Sequence, residues 1–177
     1  MTIYTIGHSN HPLEKFVEML SSHDIELVAD VRTVPRSRHN PQYNADSLPA
    51  SLQEQGITYR HLPLLGGLRH AKKDSANTGW ENASFRGFAD YMQTEEFGKG
   101  LEELTALAAG KKVAVMCAES LPWRCHRSLI ADALTIRGIP VYQIMSRVSA
   151  PLHRPTPWAK VEDQHITYRA KQQELKL

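Results

Sequence analysis

The sequence VAVMCAESLPWRCHR, residues 113–127, decides the fold of this protein. It begins with an apolar run, Val113 to Met116, which is typical of a strand buried on both faces of a parallel sheet. A polar loop follows, and residues 128–137 then repeat apolar side chains at helical spacing up to Gly138. Strand, loop and helix in this order predict one βα unit of an open α/β sheet, where ligands bind at the strand-to-helix turn.

The rest of the chain repeats this alternation. Apolar segments predict four further strands at residues 3–6, 25–31, 57–62 and 139–145. Helical spacing predicts helices that carry Leu13 to Leu20, Leu48 with Leu52 after a cap at Asp46, residues 85–92 and residues 97–107. Because parallel strands need crossover connections, we expect an α/β fold: a single three-layer domain with a mostly parallel, Rossmann-like sheet and helices on both faces. The pattern leaves the strand order open.

Length and composition predict one core and no membrane span. The chain has 177 residues, of which 41% are hydrophobic, and this suits a single domain. We expect an α/β domain over residues 1–149 and a proline-rich, extended tail over residues 150–177 that packs on the domain or on a partner. The chain opens with no secretory signal, and two cysteines without such a signal fit a reducing cytoplasm. We therefore expect a cytoplasmic protein.

Polar residues and glycines follow four of the predicted strands. They are His8, Ser9 and Asn10 after the first strand, Asp30, Arg32 and Arg36 after the second, Gly66, Gly67 and Arg69 after the third, and Cys117 and Glu119 after the fourth. Because the carboxyl ends of parallel strands meet at one edge of a sheet, these loops are expected to form a common site.

The loops are rich in arginine, which binds phosphate or carboxylate through two parallel hydrogen bonds. We expect Arg32, Arg36, Arg124 and Arg127 to hold an anion, while the alternative is that they are solvated surface charges. The formal charge of +2 is too small for a general nucleic-acid binder but allows a local basic patch. Trp80 and Trp123 lie in loops and offer planar faces to a base. The predicted ligand is therefore a nucleotide or a nucleic-acid segment, with residues 68–84 as a cover.

Cys117 is the candidate nucleophile, since nearby arginines and helix amides lower the pKa of a thiol. Its alternative role is that of a small buried residue that ends a core strand. His126, Glu119 and Asp30 are candidates for acid and base chemistry. Alternatively, His126 makes a structural hydrogen bond and Asp30 pairs with an arginine. Six residues separate Cys117 from Arg124, one more than in the phosphate loop of protein tyrosine phosphatases, so that analogy is weak.

Other chemistries have less support in the sequence. A metal site built from Cys117, Cys125, His126 and His8 lacks the closely spaced ligand pairs of structural zinc sites, and we predict no metal. The chain has neither a Walker-type motif nor a GxGxxG motif, which argues against an ordinary nucleotide hydrolase or dehydrogenase. The leading interpretation is an enzyme that acts on a phosphate-bearing ligand. Its alternatives are a non-catalytic nucleotide or nucleic-acid recognition module and a thiol redox or metal-sensing protein.

Several of these segments together resemble one protein family. They are IYTIGHSN (residues 3–10), DVRTVPRSR (30–38), PLLGG (63–67), FRGFADYM (85–92), CAE (117–119) and RCHR (124–127). They resemble domain-of-unknown-function family 488 over nearly the whole chain up to about residue 147. The resemblance implies an α/β domain of bacterial and archaeal type and implies no particular substrate, cofactor or oligomeric state.

Overall fold

The computed structural model describes residues 1–170 of the chain. Five strands form a parallel sheet: β1 (Ile3–Gly7), β2 (Leu27–Asp30), β3 (Thr58–His61), β4 (Val113–Cys117) and β5 (Val141–Gln143). Their order across the sheet is β3-β2-β4-β1-β5. The apolar strand β4 therefore lies at the centre, between β1 and β2, and all five of its residues are buried.

Helices cover both faces of this sheet. They are α1 (Leu13–Ser22), α2 (Leu48–Gln53), α3 (Ala83–Tyr91), α4 (Glu95–Gly110) and α5 (Arg127–Thr135). Alternate residues of β4 point to opposite faces, as expected of a strand. Val115 packs in the cluster that includes α3, α4 and α5, whereas Met116 packs in the cluster that includes α1 and α2. The α/β fold with a parallel sheet, predicted from the alternation of elements, is confirmed.

The strand order brings three chain segments together at the carboxyl edge. In the register of the sheet, Gly7 pairs with Cys117, and Asp30 pairs with Met116. The backbone pairing continues beyond the strands, since the His8 N–H donates to the Cys117 carbonyl at 2.9 Å. The segments that follow β1, β2 and β4 are therefore neighbours, although the sequence separates the first from the last by more than a hundred residues.

Some local predictions need correction. The first turn of α2 has Ser47 rather than Asp46 at its N-cap, and no side chain caps it. Residues 150–170 contain an antiparallel hairpin, β6 (Ala159–Glu162) with β7 (His165–Tyr168), which the proline pattern did not indicate. Residues 171–177 of the predicted tail lie outside the described residues. Within residues 1–170, no helix is long and apolar enough to cross a membrane.

A buried carboxylate attaches this C-terminal segment to α5. Asp132 is fully buried and accepts hydrogen bonds from His153 Nε2 at 2.7 Å, from the Thr156 N–H at 3.0 Å and from the Tyr168 hydroxyl at 2.8 Å. His153 Nδ1 in turn lies 2.8 Å from Gln143 Nε2 on β5. Because a buried carboxylate is stable only when its oxygens are satisfied, these donors and Asp132 depend on one another.

Candidate functional site

A pocket of about 530 Å³ opens at the carboxyl edge of the sheet. Among the predicted site residues, the pocket is lined by His8, Arg32, Arg36, Gly67, Cys117, Glu119, Arg124 and His126. These residues come from the loops that follow β1, β2, β3 and β4. The remaining predicted residues do not line it: Ser9, Asn10, Asp30, Gly66, Arg69, Trp80 and Arg127.

Arg127, at the start of α5, is buried directly behind the pocket wall. Its Nη1 donates to Cys117 Sγ at 2.8 Å and to the Glu119 carbonyl at 2.5 Å, while its Nη2 donates to the Ser120 carbonyl at 2.9 Å. Within residues 1–170, no carboxylate forms an ion pair with it. Since a buried cation is costly without a negative partner, the arrangement favours the thiolate form of Cys117.

The pKa values of the two cysteine thiols are shifted in opposite directions. Burial raises the pKa of Cys117, but a hydrogen bond from Cys125 and the charge of Arg127 lower it more, from 9.0 to about 7. The pKa of Cys125 is raised, because its thiol hydrogen-bonds to Cys117 and is buried. Cys125 Sγ also lies 3.5 Å from His126 Nδ1, but a thiolate is the stronger acceptor for its single proton. Of the two thiols, Cys117 therefore loses its proton at the lower pH.

His126 joins three loops of the pocket. Its Nε2 lies 3.0 Å from both the Val31 and the Leu65 carbonyls, so Nε2 carries the ring proton and donates it. Burial lowers the pKa of His126 to about 4, and the ring is neutral at physiological pH. Gly67 lies flat against the ring, and a Cβ there would come within 2.6 Å of Nδ1. The sequence predicted either acid–base chemistry or a structural hydrogen bond here, and the geometry favours the structural role.

Asp30 lies beneath the pocket and orients Arg32. The Arg32 guanidinium donates to the Asp30 carboxylate from Nε at 2.9 Å and from Nη2 at 2.7 Å, and the Tyr59 hydroxyl donates to it at 2.6 Å. Arg32 Nη1 lies 3.4 Å from His8 Nε2. Burial lowers the pKa of His8 to about 4, so its neutral ring accepts from Arg32 while Nδ1 donates to the Ser9 carbonyl. The result is an arginine of fixed orientation in the pocket wall.

The outer part of the pocket carries exposed charged side chains. Arg36 and Arg124 are exposed, and within the described part of the chain neither forms an ion pair. Glu119 is the one carboxylate among the described residues that line the pocket, and its Oε1 accepts from the Leu121 N–H at 3.3 Å. Arg32 is paired with Asp30, so the two exposed arginines outnumber the one carboxylate of the lining, and this excess suits an anion. Residues 1–170 contain no cluster of three or more potential metal ligands.

Two predicted ligand residues, Arg69 and Trp80, lie outside the pocket lining and make packing contacts. Arg69 stacks on the Tyr91 ring at 3.6 Å and donates to the Gly66 carbonyl. Trp80 packs between Phe85, Trp158 and Tyr168. The covering segment predicted at residues 68–84 contributes Leu68, Asn82 and Ser84 to the lining. The middle of this segment is attached to α3, because Asp90 of that helix accepts hydrogen bonds from Ser75 and Asn77.

The sequence interpretation missed several residues of the lining. They are Thr33, Val34, Ser37, Phe85 and Ala118, whereas Leu68, Asn82 and Ser84 lie in the segment predicted as a cover. Asn82 caps α3 by accepting from the Ser84 and Phe85 N–H groups. An asparagine directly before a helical pattern is a recognisable signal of such a cap, and Asn82 lies in the predicted covering segment, although the pattern did not single it out.

The reactivity of Cys117 is directly testable. We expect iodoacetamide to label Cys117 with a half-maximal rate near pH 7, because the thiolate fraction rises as the pH passes the pKa of about 7. Cys125 is expected to remain unlabelled at that pH, since its pKa is raised. Peptide mass spectrometry across a pH series measures both sites in one sample. A half-maximal rate near pH 9 for Cys117 would contradict the expectation.

One family comparison gives a match. The family model described as Domain of unknown function DUF488 matches residues 12–134, a range that includes the loops after β2, β3 and β4 but not His8. No curated protein and no solved structure matches the chain.

Proposed function

The chain belongs to the DUF488 family, and from the chemistry of its pocket we propose that it is an enzyme that acts on a phosphate-bearing ligand, a nucleotide or a nucleic-acid segment. The observation that carries the proposal is the contact between Cys117 and the buried guanidinium of Arg127 at 2.8 Å. It supports a thiolate at neutral pH, and this thiolate faces a pocket rich in arginine. A thiolate is a strong nucleophile in such surroundings.

The pocket suits a ligand with a phosphate group. A volume of about 530 Å³ lies within the usual range for small-molecule sites. Arg32 is held by Asp30 and the Tyr43 carbonyl, so only its remaining Nη1 N–H would contact the phosphate. Arg36 and Arg124 are exposed and would close around the phosphate. Trp123 is 62% exposed and directly precedes Arg124, so it offers a stacking face for a base.

In the proposed reaction, Cys117 Sγ attacks the electrophilic atom of the bound ligand and displaces a leaving group. Glu119, starting as the protonated carboxyl group, would give that leaving group a proton and become a carboxylate, since it is the acidic side chain of the described lining. Attack by water on the covalent intermediate would then make the protein a hydrolase, and attack by a second substrate would make it a transferase. Neither His126 nor Asp30 takes part in these steps, because both are occupied in holding the wall of the pocket.

Turnover is tested with a phosphate monoester and a phosphate diester of p-nitrophenol, followed by a series of nucleotides. We expect the wild-type protein to release product and Cys117→Ser to lose this activity, with an unchanged circular dichroism spectrum. Equal turnover by the two proteins would contradict a role for Cys117 as the nucleophile.

Ligand binding gives a second test that does not depend on turnover. Adenosine monophosphate is expected to protect Cys117 from iodoacetamide, and Arg124→Ala is expected to weaken this protection about tenfold, because a charged hydrogen bond contributes about 1.5 kcal/mol or more. Arg60→Ala is the matched control, since Arg60 is an exposed arginine of β3 that lies outside the pocket lining. Equal loss of protection in both variants would contradict a binding role for Arg124.

The alternative function is a non-catalytic recognition module. One observation favours it: Val34 and Leu68, which line the pocket, and Trp123 beside it are 60%, 70% and 62% exposed, as in a surface that binds a partner. Protection of the thiol by adenosine monophosphate without any turnover or covalent adduct would support this module over the enzyme.

A further inference from the structure

We propose that Cys117 and Cys125 form an oxidation site, at which a hydroperoxide oxidises Cys117 and Cys125 converts the product into a disulfide within the chain. The proposal concerns a reaction of the thiols themselves. It does not depend on the phosphate-bearing ligand proposed above.

The two cysteines line the same pocket. Cys117 is the last residue of β4. Cys125 follows the 3₁₀ turn Pro122–Arg124, eight residues further along the chain than Cys117. Both are free and buried, with 3% and 7% of their surfaces exposed, yet both line the pocket of about 530 Å³. A hydroperoxide is small enough to enter this pocket.

Their neighbours assign the two cysteines different roles. Arg127 Nη1 contacts Cys117 Sγ at 2.8 Å, while Cys125 Sγ faces the neutral imidazole of His126 at 3.5 Å. Cys117, in contact with the cation, is therefore the thiolate that attacks, and Cys125, which lines the same pocket, is the thiol that resolves. An attacking thiolate next to a resolving thiol is the arrangement of cysteines that oxidise reversibly.

The chemistry proceeds in two balanced steps. In the first, the Cys117 thiolate attacks one peroxide oxygen and the O–O bond breaks. The sulfur becomes a sulfenic acid, and the peroxide is reduced by two electrons to hydroxide or an alkoxide, which takes a proton from water. In the second, Cys125 attacks the Cys117 sulfur, the S–S bond forms and the S–O bond breaks. The hydroxyl group leaves as water with the proton of Cys125.

Oxidation would also change the wall of the pocket. The disulfide removes the negative charge that faces Arg127, so the guanidinium keeps only the Glu119 and Ser120 carbonyls as acceptors. A buried cation without an anionic partner is unfavourable, which makes the disulfide easier to reduce than one in neutral surroundings. The site is therefore expected to be reversible rather than a permanent structural bridge.

The test is the thiol content of the wild-type protein after treatment with one equivalent of hydrogen peroxide and removal of the excess by catalase. We expect both thiols to be lost and the intact mass to fall by the mass of two hydrogen atoms. Dithiothreitol is expected to restore both values. In Cys125→Ser, Cys117 is expected to stop at the sulfenic acid, which dimedone traps, whereas Cys117→Ser is expected to retain its single thiol.

Three results would overturn the proposal: two thiols that survive the treatment, a higher oxide of Cys117 beside a reduced Cys125, or a disulfide between two chains on a non-reducing gel. The measurement on the wild-type protein tests the proposal even if a variant fails to fold. This test measures mass and thiol content, whereas the proposed enzyme activity is measured by turnover of a phosphate ester. The two results are independent, so the failure of one proposal is distinguishable from the failure of the other.

Discussion

Replacing Arg127 with methionine is expected to remove most of the reactivity of Cys117 at neutral pH. The substitution takes away the donor at 2.8 Å from Cys117 Sγ and the positive charge beside it, while burial of the thiol remains. Burial alone raises the pKa of a thiol. A full return of the pKa from about 7 to 9.0 would lower the thiolate fraction at pH 7 from about one half to about one hundredth, but Cys125 also lowers this pKa and remains in the variant. We therefore expect iodoacetamide labelling of Cys117 at pH 7 to slow severalfold, with about 50-fold as the upper limit.

Arg127→Lys is the matched control, since it keeps the charge but not the three hydrogen bonds to Cys117 Sγ and the Glu119 and Ser120 carbonyls. We expect its labelling rate to lie between those of the wild type and Arg127→Met. An unchanged half-maximal pH near 7 in Arg127→Met would show that another group lowers the pKa of Cys117.

The pH dependence of stability follows from the same contact. The pKa of Cys117 is lower in the folded protein than its ordinary value of 9.0. The stabilisation that comes from the thiolate is therefore complete above about pH 9 and is lost as the pH falls through about 7. Because Arg127→Met lacks the cation, its free energy of unfolding is expected to vary less over this range than that of the wild type.

Replacing Asp132 with alanine is expected to lower the free energy of unfolding by about 3–5 kcal/mol, the usual cost of breaking a buried charged pair or network. The substitution leaves His153, Tyr168 and the Thr156 N–H without their buried acceptor. Urea unfolding measures the loss. Since these donors attach residues 150–168 to α5, limited proteolysis is also expected to cut this segment sooner in the variant.

Two controls separate this network from a general effect of losing an acidic residue. Asp132→Asn keeps an oxygen that accepts hydrogen bonds and is expected to cost less than the alanine substitution. Asp46→Ala changes an exposed residue and is expected to alter stability by less than about 0.5 kcal/mol. A loss in Asp132→Ala no larger than that in Asp46→Ala would contradict the structural role of the network.

Local patterns predicted most of the fold. The apolar run at Val113 marks β4, and the spacing of Leu13, Phe16 and Leu20 marks α1, because each pattern depends only on residues close together in the chain. The loops after β1, β2 and β4 were assigned to one edge from the rule for parallel strands alone. The hairpin at residues 159–168 was not predicted, because its first strand exposes most of its side chains and alternates apolar and polar residues over only four positions.

The sequence by itself determined the class of fold and the carboxyl-edge position of Cys117, Glu119, Arg32 and Arg124. The reason is that the patterns typical of strands, loops and helices involve residues close together in the chain. Only the tertiary structure decided what each arginine does. Arg124 lines the pocket, whereas Arg127, three residues later, is buried against Cys117. The difference arises because α5 packs on β4, and the direction of a side chain at the first helical turn depends on that packing rather than on spacing along the chain.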